Sequence, residues 1–165
     1  MNDIPTLRTK RLILRSPTFD DWPAFSDLLQ SERAALMGGP YTVTGAWGVY
    51  CHGIALWQMF GFGSLSIEDP KTGAYLGQVE INAGPRFPET ELGWQLIESA
   101  EGQGYAFEAA TAMRRWALET RKLDSLVSYI DPENLRSIAL AKRLGARRDA
   151  WAKPQDPGDL IYRHA

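Results

Sequence analysis

Apolar and basic residues alternate around Leu12 and Leu14 in the stretch 6–15, TLRTKRLILR. Alternation with period two puts the two kinds of side chain on opposite faces of an extended chain, so it predicts a strand. The period changes after Thr18. In FDDWPAFSDLLQ, Trp22, Phe25, Leu28 and Leu29 recur at helical spacing. Thr18 stands at the N-cap, and Asp20 and Asp21 fall in the first turn, where the helix dipole favours acids. Pro23 fits only that first turn. Gly38-Gly39-Pro40 breaks the chain, and residues 45–59 predict a second, aromatic-rich helix ending at Gly61.

In GSLSIEDPKTGAYLGQVEINAG two alternating runs flank Asp69-Pro70-Lys71-Thr72-Gly73, a hairpin signal. A further strand, ELGWQLI at 91–97, follows the loop 83–90. Tyr105, Ala109, Ala112, Met113 and Trp116 then mark one buried face of a helix. The run 124–130 predicts a strand, Asn134 to Leu144 a helix stopped by Gly145, and 146–152 and 159–164 a closing pair of strands. The order predicts an α+β fold in which an antiparallel meander passes into a strand–helix–strand crossover. That crossover makes strands 91–97 and 124–130 parallel neighbours.

Composition narrows the class. A chain of 165 residues, 44% hydrophobic and 23% charged, suits a single domain over 1–165. A net charge of −2 without a basic block gives no footprint for nucleic acid or an anionic membrane. No apolar run of about 18 residues predicts a span. The only cysteine, Cys51, excludes an intramolecular disulfide and, with a polar N-terminus, fits a cytoplasmic protein. His52 and His164 share no metal-ligand spacing with Cys51 or with acids, so no metal is expected. Six tryptophans are many for this length; the alternatives are core packing and an aromatic-lined pocket.

The loop ESAEGQGYAFEA carries Gly102-Gln103-Gly104 into a helix, an arrangement in which unpartnered helix NH groups meet an anion. It is not a Walker loop, which needs four residues between its glycines and then a lysine. Nor is it the dinucleotide fingerprint, since Phe107 stands where that needs glycine. A tight strand-to-helix turn is the plain alternative. The stretch Gly102-Gln103-Gly104-Tyr105-Ala106 with Glu108-Ala109 resembles the acetyl-CoA-binding motif of the GNAT (GCN5-related N-acetyltransferase) superfamily, in the form of the ribosomal-protein N-terminal acetyltransferases. LRTKRLILRSPTFDDWPAF, the hairpin, ELGWQLI and NLRSIALAKRLGA resemble the family's other segments in order. Two departures stand out. Ser99 occupies the place of the signature's long polar residue, between Glu98 and Glu101, and Ala141 the place of the tyrosine that serves many members as general acid.

The resemblance implies a single domain of GNAT type: a mixed sheet with a splayed parallel pair and flanking helices. It implies transfer of an acetyl group from acetyl-CoA directly to a primary amine, either a small amine or a protein N-terminus. A non-catalytic acyl-CoA-binding or sensing domain is the alternative, and monomer and homodimer both remain open. The pantetheine arm is then expected along Gln95, Leu96 and Ile97 and near Asn134, with the pyrophosphate on Gly102, Gln103, Gly104, Tyr105 and Ala106. Glu91 is the expected base and Glu80 its competitor. Ser137 is the expected donor to the leaving thiolate in place of Ala141, while capping is the plain role for Asn134 and Ser137. Arg136, Lys142 and Arg143 are available to the nucleotide phosphate. Tyr41, Trp47 and Trp94 are expected at the acceptor; the segments that the resemblance puts on its side of the groove, 36–60 and 83–90, are aromatic and nearly uncharged and so speak against a polycation.

Overall fold

A computed structural model describes residues 3–165. The predicted first strand is two short ones, β1 (Leu7–Arg8) and β2 (Ile13–Arg15), paired antiparallel. Thr9 explains the break: its Oγ1 accepts from the Leu12 NH at 2.9 Å, turning the chain where alternation alone predicts continuity. A 3-10 turn over Phe19–Asp21 leads into α1 (Trp22–Gln30), with Pro23 in the first turn as expected. Asp21 accepts from the Thr18 NH at 3.0 Å and is gripped by Arg15 and Ser66, which ties the helix start to the sheet.

The helix α2 (Val43–Phe60) begins at Thr42, whose Oγ1 accepts from the Gly45 NH, and ends at Gly61 in the left-handed region. Gly53 lets it lie against the sheet, since a Cβ there would sit 1.9 Å from Ser64 Oγ. The hairpin of β3 (Ser64–Glu68) and β4 (Tyr75–Asn82) follows, then β5 (Glu91–Leu96). Next come α3 (Tyr105–Arg115), which widens into a π-turn over Trp116–Thr120, then β6 (Val127–Ile130) and α4 (Leu135–Arg143). Two strands close the fold, β7 (Arg147–Arg148) and β8 (Leu160–Arg163). The predicted strand 146–152 is cut to two residues because Asp149 Oδ1 accepts from the NH groups of Trp151 and Ala152 and turns the chain out.

The sheet runs β1-β2-β3-β4-β5-β6-β8-β7, and every pairing is antiparallel except β5–β6. This is the mixed α+β architecture expected from the sequence. Leu14, Trp57, Ile67, Val79, Ile81 and Met113 anchor the main core. Phe25, Leu28, Leu29 and Tyr50 lock α1 onto α2.

Candidate active site

Parallel strands β5 and β6 register one residue pair, Glu91 opposite Val127. Past it they part. The Leu92 carbonyl, which a continuing ladder would pair with a backbone NH of β6, instead accepts from Ser128 Oγ at 2.6 Å. Ser128 is held in turn by His164 Nε2 at 2.9 Å. Burial, and then the nearby Arg114 guanidinium, depress His164 to about 4, so the imidazole is neutral.

The divergence opens into a cavity of about 880 Å³. Glu91, Trp94, Gln95, Asn134, Ser137 and Tyr41, all expected at the site, line it together. Glu80 joins Glu91 on one face of the sheet, because β4 and β5 register Asn82 opposite Glu91 and Glu80 opposite Gly93. Gly93 leaves the room that the Glu80 side chain takes: a Cβ there would lie 3.0 Å from its Oε1. Asn82, which sequence reasoning missed, donates through Nδ2 to Glu91 Oε2 at 2.9 Å. Its position two residues from Glu80 was the available signal. Burial first, and then the Glu80 carboxylate, push Glu91 up to about 8 against the Asn82 hydrogen bond. Burial raises Glu80 as well.

Across the cavity, Asn134 caps α4: its Oδ1 accepts from the Ser137 NH at 3.2 Å. Capping is therefore a real part of the asparagine's role. Ser137 Oγ accepts from Trp94 Nε1 at 3.3 Å, which leaves the hydroxyl proton free to point elsewhere. Ala141 lies one turn further along α4, fully buried against Ile130, Ala146 and Tyr162. Packing thus closes the position that the resemblance assigns to a tyrosine in other members, and Ser137 is the hydroxyl on that helix face.

Leu96 packs against the main core, and the Ile97 NH is already committed to the Leu76 carbonyl at 3.0 Å. Gly102 and Gly104 both take positive φ, and the first intrahelical bond runs from the Glu108 NH to the Gly104 carbonyl. The NH groups of Tyr105, Ala106 and Phe107 therefore lack helical partners and point out of the helix end. Gln103 folds back, its Nε2 donating to the Ser99 carbonyl. The two glutamates beside the loop are accounted for: Arg33 pairs with Glu98 and Glu101, and Arg136 with Glu101. Burial opposes ionisation of Glu101, yet the two guanidinium groups outweigh it and hold the carboxyl below its usual range. Beside the start of α3 a second cavity gathers Arg8, Lys10, Arg11, Arg115 and Arg143, the last stacked over Phe107 at 3.9 Å.

Of the three residues expected at the acceptor, Trp47 stays outside the cavity lining; it packs edge-on to Trp22 at 4.9 Å. His52 does line the cavity, stacked on Phe87, and burial followed by Arg86 lowers its pKa. The wall also takes Asp156 and Asp159 from the loop between β7 and β8. Their contribution follows from the pairing of β8 with β6, invisible to a reading of segments 36–60 and 83–90 alone.

The site thus brings together a strand pair that parts at a high-pKa acid, a hydroxyl on the facing helix and NH groups without helical partners at a glycine-fed helix end. The chain belongs to the acetyltransferase (GNAT) domain family, whose model matches residues 11–147. The crystal structure of an acetyltransferase from Agrobacterium tumefaciens str. C58 is 51% identical, with a TM-score of 0.97 over 99% of this chain and 95% of that one. An uncharacterised Bacillus subtilis protein, YkkB, is 31% identical over 62% of this chain and 59% of its own length. The Escherichia coli [ribosomal protein uS5]-alanine N-acetyltransferase is 34% identical over 38% of this chain and 32% of its own length. The match thus spans less than two thirds of these curated relatives. None of the helices is long and apolar enough to cross a membrane among the described residues.

Proposed function

We propose that the protein transfers the acetyl group of acetyl-CoA to a primary amine, directly and in a ternary complex. The observation that carries this reading is the pairing, in one cavity at the strand divergence, of a carboxylate raised to about 8 with a hydroxyl on the opposite wall. A base poised near neutrality suits the removal of a proton from an alkylammonium. Glu91 takes that proton, the nitrogen lone pair attacks the thioester carbonyl, and a C–N bond forms. The tetrahedral adduct collapses by breaking the C–S bond. Ser137 gives its proton to the leaving sulfur and regains one from water, while Glu91, having passed its first proton to solvent, relays the second nitrogen proton the same way. Burial, and then Glu80 beside it, keep the affinity of Glu91 for protons high.

The donor's pantetheine arm lies along Gln95 and Leu96 near Asn134, using strand edge that the divergence frees. The pyrophosphate sits on the Gly102–Ala106 loop, at the positive end of α3. The cations of the second cavity, Arg143 among them, favour the nucleotide phosphates. Tyr41 and Trp94 bound the acceptor space. Residues 1–165 work as one domain, and nothing in the scheme requires a metal or a second subunit.

The deciding experiment mixes purified protein, acetyl-CoA and a panel of primary amines and follows thiol release. Turnover with intersecting initial-rate lines is the expected result. Parallel lines, the sign of an acyl-enzyme, overturn the direct route, and tight CoA binding without turnover on any amine overturns the transfer reading itself.

A further inference from the structure

The cavity is acidic out of proportion to what one proton transfer needs. Five carboxylates line it, Glu80, Glu91, Asp131, Asp156 and Asp159, against a single arginine, Arg86, and a histidine whose charge is suppressed. None of the five forms an ion pair among the described residues, and every carboxylate that does form one lies outside this cavity. Asp156 is exposed at the rim, Asp159 is half-buried below it and accepts from the Asp156 NH at 3.1 Å, and Glu91 lies at the floor. Their charges also bear on one another. Asp159 is raised by burial and then by Asp156 and Asp131, and Glu91 in turn feels Asp159. Tyr41, on the facing wall, lies within the fields of Arg86, Glu80, Asp156 and Glu91, which places rim and floor around one space.

Resting on the transfer reading above, we infer that the acceptor is a small aliphatic diamine or polyamine, whose reacting nitrogen meets Glu91 and whose second ammonium is held by Asp156 and Asp159. Like charges brought together without partners repel one another, and a cationic occupant relieves that repulsion. The reacting nitrogen accounts for Glu91 and Glu80 at the floor. The aspartates at the rim remain unmatched, and they select for a second positive charge and against a carboxylate. Arg86, near Tyr41 and His52, reinforces the selection by keeping the cation on the aspartate wall. A cavity of about 880 Å³ holds such a chain beside the end of the donor.

The test compares pentylamine, 1,5-diaminopentane, 5-aminopentanoate and a short uncharged peptide with a free N-terminus, all as acceptors for acetyl-CoA. The diamine is expected to exceed pentylamine in kcat/KM by about tenfold or more, mainly through KM, with aminopentanoate the poorest. In the double variant Asp156→Asn, Asp159→Asn the diamine-to-monoamine ratio is expected to fall below about threefold, as loss of a partly solvated charge pair implies. Calorimetric titration of the diamine into the CoA complex gives a readout independent of turnover, and the same variant is expected to weaken that binding. Equal kcat/KM for monoamine and diamine, a peptide that outcompetes the diamine, or diamine binding untouched by the double variant overturns the inference. Absence of turnover on every amine overturns the transfer reading instead, and calorimetry then still decides whether the aspartates hold a dication.

Discussion

Glu91 combines two properties that are separable by substitution. As the proposed base, it must ionise to work, so kcat should rise with pH through about 8. Glu91→Gln keeps the shape and can still accept from Asn82, but it cannot take a proton. Its kcat is expected to fall by about 10²–10⁴, with the rise near pH 8 gone and acetyl-CoA affinity unchanged. A pH–rate profile identical to that of the parent removes Glu91 from the mechanism. Its stability effect has the opposite sign. The folded pKa lies above the unfolded one, so the group's contribution is fully present below the unfolded pKa of about 4.5 and is lost as pH rises through about 8. Glu91→Gln should therefore melt higher than the parent at pH 8 and at the same temperature at pH 4, each kcal/mol amounting to about 2–4 °C for a chain of this size. Ser137 was legible as a candidate from its N-x-x-Ser spacing. What the sequence could not show is that Ala141 is walled in by packing, or that Trp94 orients the serine.

At the scale of elements, the divergence of β5 from β6 is a designed interruption of a ladder. Ser128 captures the carbonyl that would continue it, and the neutral imidazole of His164 fixes Ser128. Ser128→Ala leaves that buried carbonyl unpaired, a cost of about 1–3 kcal/mol that closing the strands can relieve. The expected outcome is a several-fold rise in KM for acetyl-CoA with a smaller change in kcat, and recovery in Ser128→Thr; an unchanged KM in Ser128→Ala rejects the role. The two strands were legible from their alternation and their parallel relation from the crossover rule. The length of their contact was not, because it goes with a side-chain hydroxyl pairing a backbone carbonyl across the strands. At α4, Asn134→Ala should cost about 1 kcal/mol through the lost cap, read as a lower Tm.

Across the whole molecule, Glu101 joins parts of the chain that are far apart in sequence. Arg33, from the turn after α1, and Arg136, from α4, converge on it beside the Gly102–Gly104 turn. In the proposed reading, two cations are thereby held beside the loop that takes the pyrophosphate. Glu101→Gln removes the competing charge, so CoA is expected to bind more tightly, and Arg33→Ala should weaken it. Titration calorimetry at low salt reads both, since screening blunts the difference as ionic strength rises. Equal affinity in the two variants separates this cluster from the donor.

Periodicity and turn chemistry in the sequence determined the element order, the hairpin, the crossover and the glycine-fed helix end, because each depends on contacts a few residues apart. Hence the family's motif was readable residue by residue, as were Glu91 and Ser137 as candidates. Tertiary structure alone decided what surrounds them. Glu80 reaches Glu91 through strand register, Asp156 and Asp159 reach the cavity through the pairing of β8 with β6, and Arg33 reaches Glu101 across the fold. These are non-local arrangements of charge in a partly desolvated space. No spacing along the chain encodes them, and together with burial they raise the proton affinity of Glu91 and set the charge of the space it faces.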